Sequence, residues 1–139
     1  LGMALKALLA GARFIATNDD GMLPSEDGYR PGAGADVGAV KGMIRREPDV
    51  IIGKPSHLIL GDLLARTGMI GDECLVIGDS VGSDIQFARR MGAPSVLVLT
   101  GNTRSRAEAE QAVPRPDFIR DSISDIPALL GLKERPRQE

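Results

Sequence analysis

Two aspartates in one short segment are the residues best suited to chemistry in this 139-residue sequence. Asp79 and Asp84 lie in GDSVGSD, residues 78–84, between the apolar run CLVI and a helical pattern. Ligand sites in open α/β sheets lie beyond the carboxyl ends of strands, which is where Asp79 falls. Two carboxylates that converge there with water and a phosphate oxygen suit the octahedral, all-oxygen preference of Mg²⁺. The alternative is that Asp84 only caps the helix and Asp79 only forms a turn.

A lysine follows a second short apolar segment, in IGKPS at residues 52–56. Lys54 lies just before a predicted helix, where its ammonium group can neutralise both a carboxylate and a bound phosphoryl group. The alternative is a solvated loop lysine. A GxxxxGK[ST] phosphate loop is excluded because that frame is absent and Pro55 directly follows the lysine.

Other candidate motifs have weaker support. The glycines of residues 32–38 have the spacing of a dinucleotide loop, but they are predicted to follow a loop rather than a strand, which argues against that function. The acidic residues of the 18–34 loop are expected to be solvated, and Cys74 is expected in the core. No Ser or Cys lies in a nucleophile-elbow context, so a hydrolytic triad has no support.

The elements that must position these residues follow a strand–helix–strand pattern. Continuous apolar runs such as CLVI and SVLVL are typical of strands buried on both faces of a parallel sheet, and a helical pattern lies between them. The sequence therefore predicts an open, mostly parallel, Rossmann-like α/β sheet flanked by helices. Strands are predicted at 13–17, 49–53, 74–77, 95–99 and 117–119, helices at 4–9, 33–46, 56–67, 84–91, 102–113 and 126–130, and a loop at 18–34.

Composition excludes several classes of protein. The chain is 42% hydrophobic and 26% charged with a net charge of −2, which is typical of one globular domain and argues against a dedicated nucleic-acid binder. The single cysteine excludes an internal disulfide framework and favours a reducing compartment. No apolar run approaches the ~20 residues of a membrane span. We therefore expect a cytoplasmic protein without nucleic-acid or membrane partners.

Taken in order, IGKPS, LVIGDSVGSDIQFARRMG and SVLVLTG resemble the C-terminal half of a haloacid dehalogenase (HAD) superfamily phosphatase. The resemblance runs from residue 4 to residue 130 and is to the 4-nitrophenylphosphatase and phosphoglycolate phosphatase-like branch. It implies Mg²⁺-dependent hydrolysis of a small phosphorylated metabolite through an aspartyl-phosphate. It also implies that Lys54 is catalytic and binds phosphate with Ser56, that Asp79 is catalytic and binds Mg²⁺ directly, and that Asp84 binds it directly or through water.

The sequence departs from the pattern of this family in one respect. The strand ending in DxDG, which carries the nucleophile, and the later Ser/Thr motif are not found in the 139 residues. In the nearest look-alike, NDDGM after RFIAT, Asn18 falls at the nucleophile position, and a carboxamide cannot form an acyl phosphate. We therefore expect residues 1–24 to be a cap remnant and cap–core junction, 25–131 the C-terminal half of the core, and 132–139 a disordered tail. The N-terminal strands and most of the cap are then missing, and the isolated chain is expected to be inactive or weakly active.

The resemblance implies that the nucleophile strand pairs with the strand that is CLVIG here, so its absence would leave an exposed apolar sheet edge. We expect this edge to be covered by RFIAT, by another copy of the chain in a homodimer, with or without exchange of segments, or by a separate partner. A catalytically inactive module that acts through self-association is the alternative function. A receiver-like domain has less support because the acidic pair on an earlier strand is missing.

Overall fold

The computed structural model of the protein describes residues 1–69 and 71–132, which divide into two units. The first unit is Leu1–Gly68, and the second comprises the described residues from Met69 onwards. This division follows spatial contacts and does not test the boundary predicted at residue 24 between cap remnant and core. Of the predicted tail, only Leu132 lies within the described residues.

The first unit holds a parallel strand pair and a hairpin. Its elements are α1 (Gly2–Leu9), β1 (Ile15–Ala16), β2 (Met22–Ser25), β3 (Gly28–Pro31), α2 (Ala33–Ile44), β4 (Val50–Ile51) and α3 (His57–Thr67). β1 and β4 pair in parallel, with Ile15 opposite Val50, so their carboxyl ends reach the same edge. Gly68 closes α3 in the left-handed conformation, which glycine adopts easily.

The prediction of a loop over residues 18–34 is wrong for residues 22–31, which contain two strands. β2 and β3 form an antiparallel hairpin with Ser25 opposite Gly28. Pro24 and Pro31 lie in this two-stranded sheet, where a missing N–H can be tolerated at an edge. Gly28 has φ of 120°, which a residue with a side chain rarely adopts, and it completes the turn.

The second unit is a parallel sheet with helical connections. Its regular elements are β5 (Val76–Gly78), α4 (Gln86–Met91), β6 (Ser95–Val98), α5 (Arg106–Gln111), β7 (Phe118–Arg120) and α6 (Ile126–Leu129). The strand order is β5-β6-β7 and both pairings are parallel. The predicted α/β class with mostly parallel strands and flanking helices is therefore confirmed.

The core of the second unit is built on its central strand. Every residue of β6 is buried, as the apolar run SVLVL predicts. Leu97 packs in one cluster with Ile85 and Ala109, whereas Val96 and Val98 pack in another with Ile126. The two faces of β6 therefore hold the two helical layers in place.

The expectation that CLVI is buried on both faces is wrong. β5 is the terminal strand of its sheet, Val76 is half-buried, and Ile77 is 36% exposed. β1 forms its ladder with β4 within the first unit, and the covering of the β5 edge by RFIAT stays a prediction. No helix among the described residues is long and apolar enough to cross a membrane.

Candidate functional site

Asp84 is held by the backbone of its own loop. Residues Val81–Ile85 form one π-helical turn, in which the N–H groups of Asp84 and Ile85 both donate to the Ser80 carbonyl. This wide turn directs the Asp84 carboxylate back toward β5, where Oδ2 accepts the N–H groups of Asp79 and Ser80, each at 3.0 Å. Such π-turns occur often at functional sites. Asp84 is not a simple helix cap, because Ser80 occupies the N-cap position. Asp84 is also buried, with only 2% of its surface exposed.

Asp79 follows β5 directly and is fixed from the neighbouring strand. Its Oδ2 accepts the backbone N–H of Asn102 at 2.7 Å and the Asn102 side-chain Nδ2 at 3.0 Å. The Thr103 N–H also donates to the Asp79 carbonyl at 2.9 Å. These bonds join the carboxyl ends of β5 and β6, because Gly78 lies opposite Leu97 in the parallel register.

Two glycines make room for the two carboxylates. A Cβ atom at Gly78 would overlap the Asp84 carboxyl group, and a Cβ atom at Gly101 would overlap the carboxyl group of Asp79. Neither glycine has a positive φ, so space rather than backbone conformation requires the missing side chain. The second unit therefore brings the predicted pair Asp79 and Asp84 together in one loop cluster.

This donor set fits a hard divalent cation. Both candidate ligands are carboxylates, and each has one oxygen oriented by N–H donors before any ion binds. Within residues 1–69 and 71–132, no group of three or more His, Cys, Asp or Glu side chains is placed to hold a metal. Mg²⁺ commonly binds through one or two carboxylates together with waters and substrate phosphate, so two carboxylates are sufficient.

Lys54 and Ser56 lie in the first unit, at the carboxyl end of β4. A Cβ atom at Gly53 would lie 2.5 Å from the Thr17 carbonyl oxygen and 2.8 Å from the Asn18 Cβ, so only glycine fits beside the end of β1. The Ser56 N–H donates to the Gly53 carbonyl at 2.9 Å, which closes a turn around Lys54. The Lys54 side chain is exposed, and the Ser56 hydroxyl accepts the Leu58 N–H at the start of α3.

Two sequence motifs have structural roles in this unit. Gly32 and Gly34 face the backbone carbonyls of Asp20 and Asp19, and the Gly34 N–H donates to Asp20 at 2.8 Å, so these glycines pack against their own loop. Although a strand precedes them, contrary to expectation, it belongs to a hairpin and not to a dinucleotide-binding βαβ unit. Asn18 is half-buried after β1, and its side-chain oxygen accepts the Asp20 N–H at 3.2 Å.

Sequence reasoning missed Asn102 and Gly101. The signal was available, because TGN follows the apolar run SVLVL directly. Adjacent parallel strands end at the same edge of a sheet, so once β6 is placed beside β5, the residues after β6 become candidate neighbours of Asp79.

Several characterised proteins with similar sequences are phosphatases. The sequence profile of the HAD-hydrolase-like family matches residues 51–126. The sugar-phosphatase AraL of Bacillus subtilis is 37% identical over 129 residues, which cover 93% of this chain and 46% of that protein. The D-glycerol 3-phosphate phosphatase of Mycobacterium tuberculosis is 38% identical over 91% of this chain and 35% of its own length.

Solved structures agree with the sequence comparison. A p-nitrophenyl phosphatase from Archaeoglobus fulgidus matches with a TM-score of 0.76 at 40% identity, over 90% of this chain and 49% of that one. The glycerol phosphate phosphatase of Mycobacterium tuberculosis, solved in complex with magnesium, matches with a TM-score of 0.70 at 37% identity over 85% of this chain and 35% of that one. The chain thus spans half or less of the length of these relatives. By its profile match, its sequence identities and its fold, this chain belongs to the HAD-like hydrolase family.

Proposed function

We propose that this chain supplies the metal-binding and phosphate-binding parts of a Mg²⁺-dependent phosphomonoesterase. The observation that carries the proposal is the Asp79 carboxylate, fixed by Asn102 at the carboxyl end of β5 beside the Asp84 loop. A carboxylate that is oriented before ligand binding loses less entropy when a cation binds. The phosphatase activities of the relatives, on sugar phosphates and glycerol phosphate among others, support a small phosphorylated metabolite as the substrate class.

Each predicted residue has a role that fits its position. Asp79 offers a carboxylate oxygen to the cation, and Asp84 fixes the amides of residues 79 and 80 and contributes a second negative charge. The bound Mg²⁺ would neutralise the charge on the phosphoryl group. Lys54 is the predicted ammonium partner of the phosphate, and Ser56 keeps a hydroxyl proton to donate while its oxygen caps α3. That the nucleophile motif is missing from the chain stays a prediction.

The test is binding of inorganic phosphate to the 139-residue chain, measured by calorimetry with and without Mg²⁺ and beside Asp79→Asn. We expect phosphate to bind only with Mg²⁺ and only to the unsubstituted chain. Phosphate binding that needs no metal, or that survives Asp79→Asn unchanged, would contradict the proposal. Hydrolysis of p-nitrophenyl phosphate in the same samples then tests the nucleophile prediction, because Mg²⁺-dependent turnover would show that a nucleophile lies in this chain or in a second copy of it.

A second candidate function is a catalytically inactive module that acts through self-association as a homodimer. The observation that favours it is β5, the terminal strand of its three-stranded sheet, with Ile77 36% exposed. An open strand edge with an apolar side chain can pair with another chain. Light scattering would show a dimer that Ile77→Lys weakens, and a strictly monomeric chain would contradict this candidate.

A cytoplasmic location likewise stays a prediction, based on the single cysteine.

A further inference from the structure

The hydrogen bonds around Asp79 are unequally divided between its two carboxylate oxygens. The Oδ2 atom accepts two N–H donors from one residue, the backbone N–H and the side-chain Nδ2 of Asn102. An ionised carboxylate oxygen has about two lone-pair sites in its plane, so two donors fill them. The Oδ1 atom is then the oxygen of Asp79 available to a cation.

This division bears on which cation the site prefers. Ca²⁺ takes six to eight oxygen ligands and often binds both oxygens of one carboxylate, whereas Mg²⁺ requires near-ideal octahedral geometry. A carboxylate that offers one oxygen satisfies an octahedral ion but cannot chelate a larger one. We propose that Asn102 is a positioning residue that selects Mg²⁺ over Ca²⁺ by restricting Asp79 to a single metal-binding oxygen. This inference rests on the metal site of the proposed function.

The surroundings of Asn102 keep its donors in place. Gly101 allows the loop after β6 to pass close to Asp79, since a Cβ atom at this position would overlap the Asp79 carboxyl group. The Thr103 N–H donates to the Asp79 carbonyl at 2.9 Å, and Thr103 is only 4% exposed. Asn102 is itself exposed, so its side chain can be replaced without opening the core.

The test measures Mg²⁺ and Ca²⁺ affinities by calorimetry for the unsubstituted chain, Asn102→Ala and Asn102→Leu. Both variants keep the backbone N–H and remove the Nδ2 donor, and leucine keeps the size of asparagine if the alanine variant folds poorly. We expect the ratio of Ca²⁺ affinity to Mg²⁺ affinity to rise about tenfold in both, since one charge-assisted hydrogen bond is lost. A general loss of stability would weaken both ions together and leave the ratio unchanged.

Ser105→Ala is the matched control. It removes the N-cap of α5, where the Ser105 hydroxyl accepts the Glu108 N–H at 3.2 Å, and leaves the Asp79 bonds intact. We expect this variant to melt at a lower temperature with an unchanged Ca²⁺/Mg²⁺ ratio. An unchanged ratio in the Asn102 variants, or an equal rise in Ser105→Ala, would overturn the selectivity role alone. If the unsubstituted chain binds no Mg²⁺, or Asp79→Asn binds it equally well, the metal site of the proposed function is overturned too.

Discussion

The carboxylates of the second unit and the lysine of the first unit are positioned in different ways. Asp79 and Asp84 are held through their side-chain oxygens, by N–H groups from three residues. Lys54 lies in a turn that is fixed through the backbone, by the close approach of Gly53 to Thr17 and the Ser56 bond, and its side chain is exposed. The difference follows from the side-chain chemistry. Two neighbouring aspartate carboxylates repel each other, so N–H donors are needed to offset this repulsion and to fix their short side chains. A lysine ammonium group instead reaches its partner on a long, flexible side chain.

The largest effect in this comparison is expected for Asp84→Ala. The substitution removes the acceptor of two backbone N–H groups in a loop where Asp84 is 2% exposed. Because hydrogen bonds to charged groups contribute about 1.5–3 kcal/mol each, we expect a loss of about 3 kcal/mol in the free energy of unfolding. Urea unfolding followed by circular dichroism measures it. Asp84→Asn, which keeps an acceptor oxygen, should lose less, and a loss below about 1 kcal/mol in Asp84→Ala would mean that the loop does not depend on this carboxylate.

In the first unit, the corresponding change is Gly53→Ala. The new Cβ would lie 2.5 Å from the Thr17 carbonyl oxygen, so the backbone between β1 and β4 must move apart. Overpacking of this kind costs about 1–3 kcal/mol, which urea unfolding would detect. The control is Gly61→Ala in α3, where no atom other than the helix's own nearby backbone lies within 4 Å of the new Cβ and alanine should stabilise the helix. Equal effects at both glycines would show that the turn before Lys54 is not tightly fixed.

A smaller effect on folding is expected for Lys54→Ala. Since the side chain is exposed, the free energy of unfolding should change by less than about 0.5 kcal/mol. Its phosphate affinity in the presence of Mg²⁺ should fall about tenfold, because one charge-assisted contact is lost. Lys6→Ala, an exposed lysine in α1, should leave phosphate affinity unchanged. A similar fall in both variants would indicate that only the net charge matters.

The last expected effect is also small and concerns a third carboxylate, Asp117, which directly precedes β7 at the amino-terminal end of that strand. The Ser95 hydroxyl donates to Asp117 Oδ2 at 2.7 Å and lowers the pKa of this carboxyl group below its ordinary value of 3.8. Burial opposes this shift. The Ser95 backbone N–H, which also donates to Asp117, and the positive charge of Arg89 lower the pKa further. A lowered pKa in the folded state stabilises the protein above pH 3.8, and this contribution is lost as the pH falls below 3.8 through the folded value.

We expect Asp117→Asn to remove this part of the acid dependence of stability. The effect should stay below about 1 kcal/mol, because the carboxyl group is largely exposed to solvent. Thermal unfolding of both chains between pH 2 and pH 6 would measure the difference, which should be larger at pH 6 than at pH 2. A difference that does not narrow toward pH 2 would contradict a role for the charged form.

The sequence predicts the second unit better than the first. The apolar run SVLVL predicts a buried strand, and every residue of β6 is buried, so pattern and burial agree there. The hairpin of residues 22–31 was missed because Pro24 and Pro31 are read as strand breakers, although Asp27-Gly28 is a hairpin signal in itself. β5 was expected to be buried on both faces, but an apolar run does not show whether its strand has a neighbour on each side.

In the candidate site, too, the sequence predicts local features better than contacts between strands. Asp79 and Asp84 were found because they lie on one continuous segment that follows a strand. Asn102 was missed because it comes from the next strand along the sheet, 23 residues later, and its contact with Asp79 depends on the strand order. Whether Lys54 acts with these carboxylates was inferred only from the family resemblance, and it stays a prediction.

Titration of Mg²⁺ into the 139-residue chain and its Asp79→Asn variant tests the central claim most directly. The account predicts one saturable Mg²⁺ site per chain, weakened at least about tenfold in the variant, while the thermal unfolding midpoint hardly changes, since the substitution also relieves the repulsion between neighbouring carboxylates. An unchanged Mg²⁺ affinity in Asp79→Asn would contradict it, because the carboxylate that the structure fixes at the end of β5 would then not be a metal ligand.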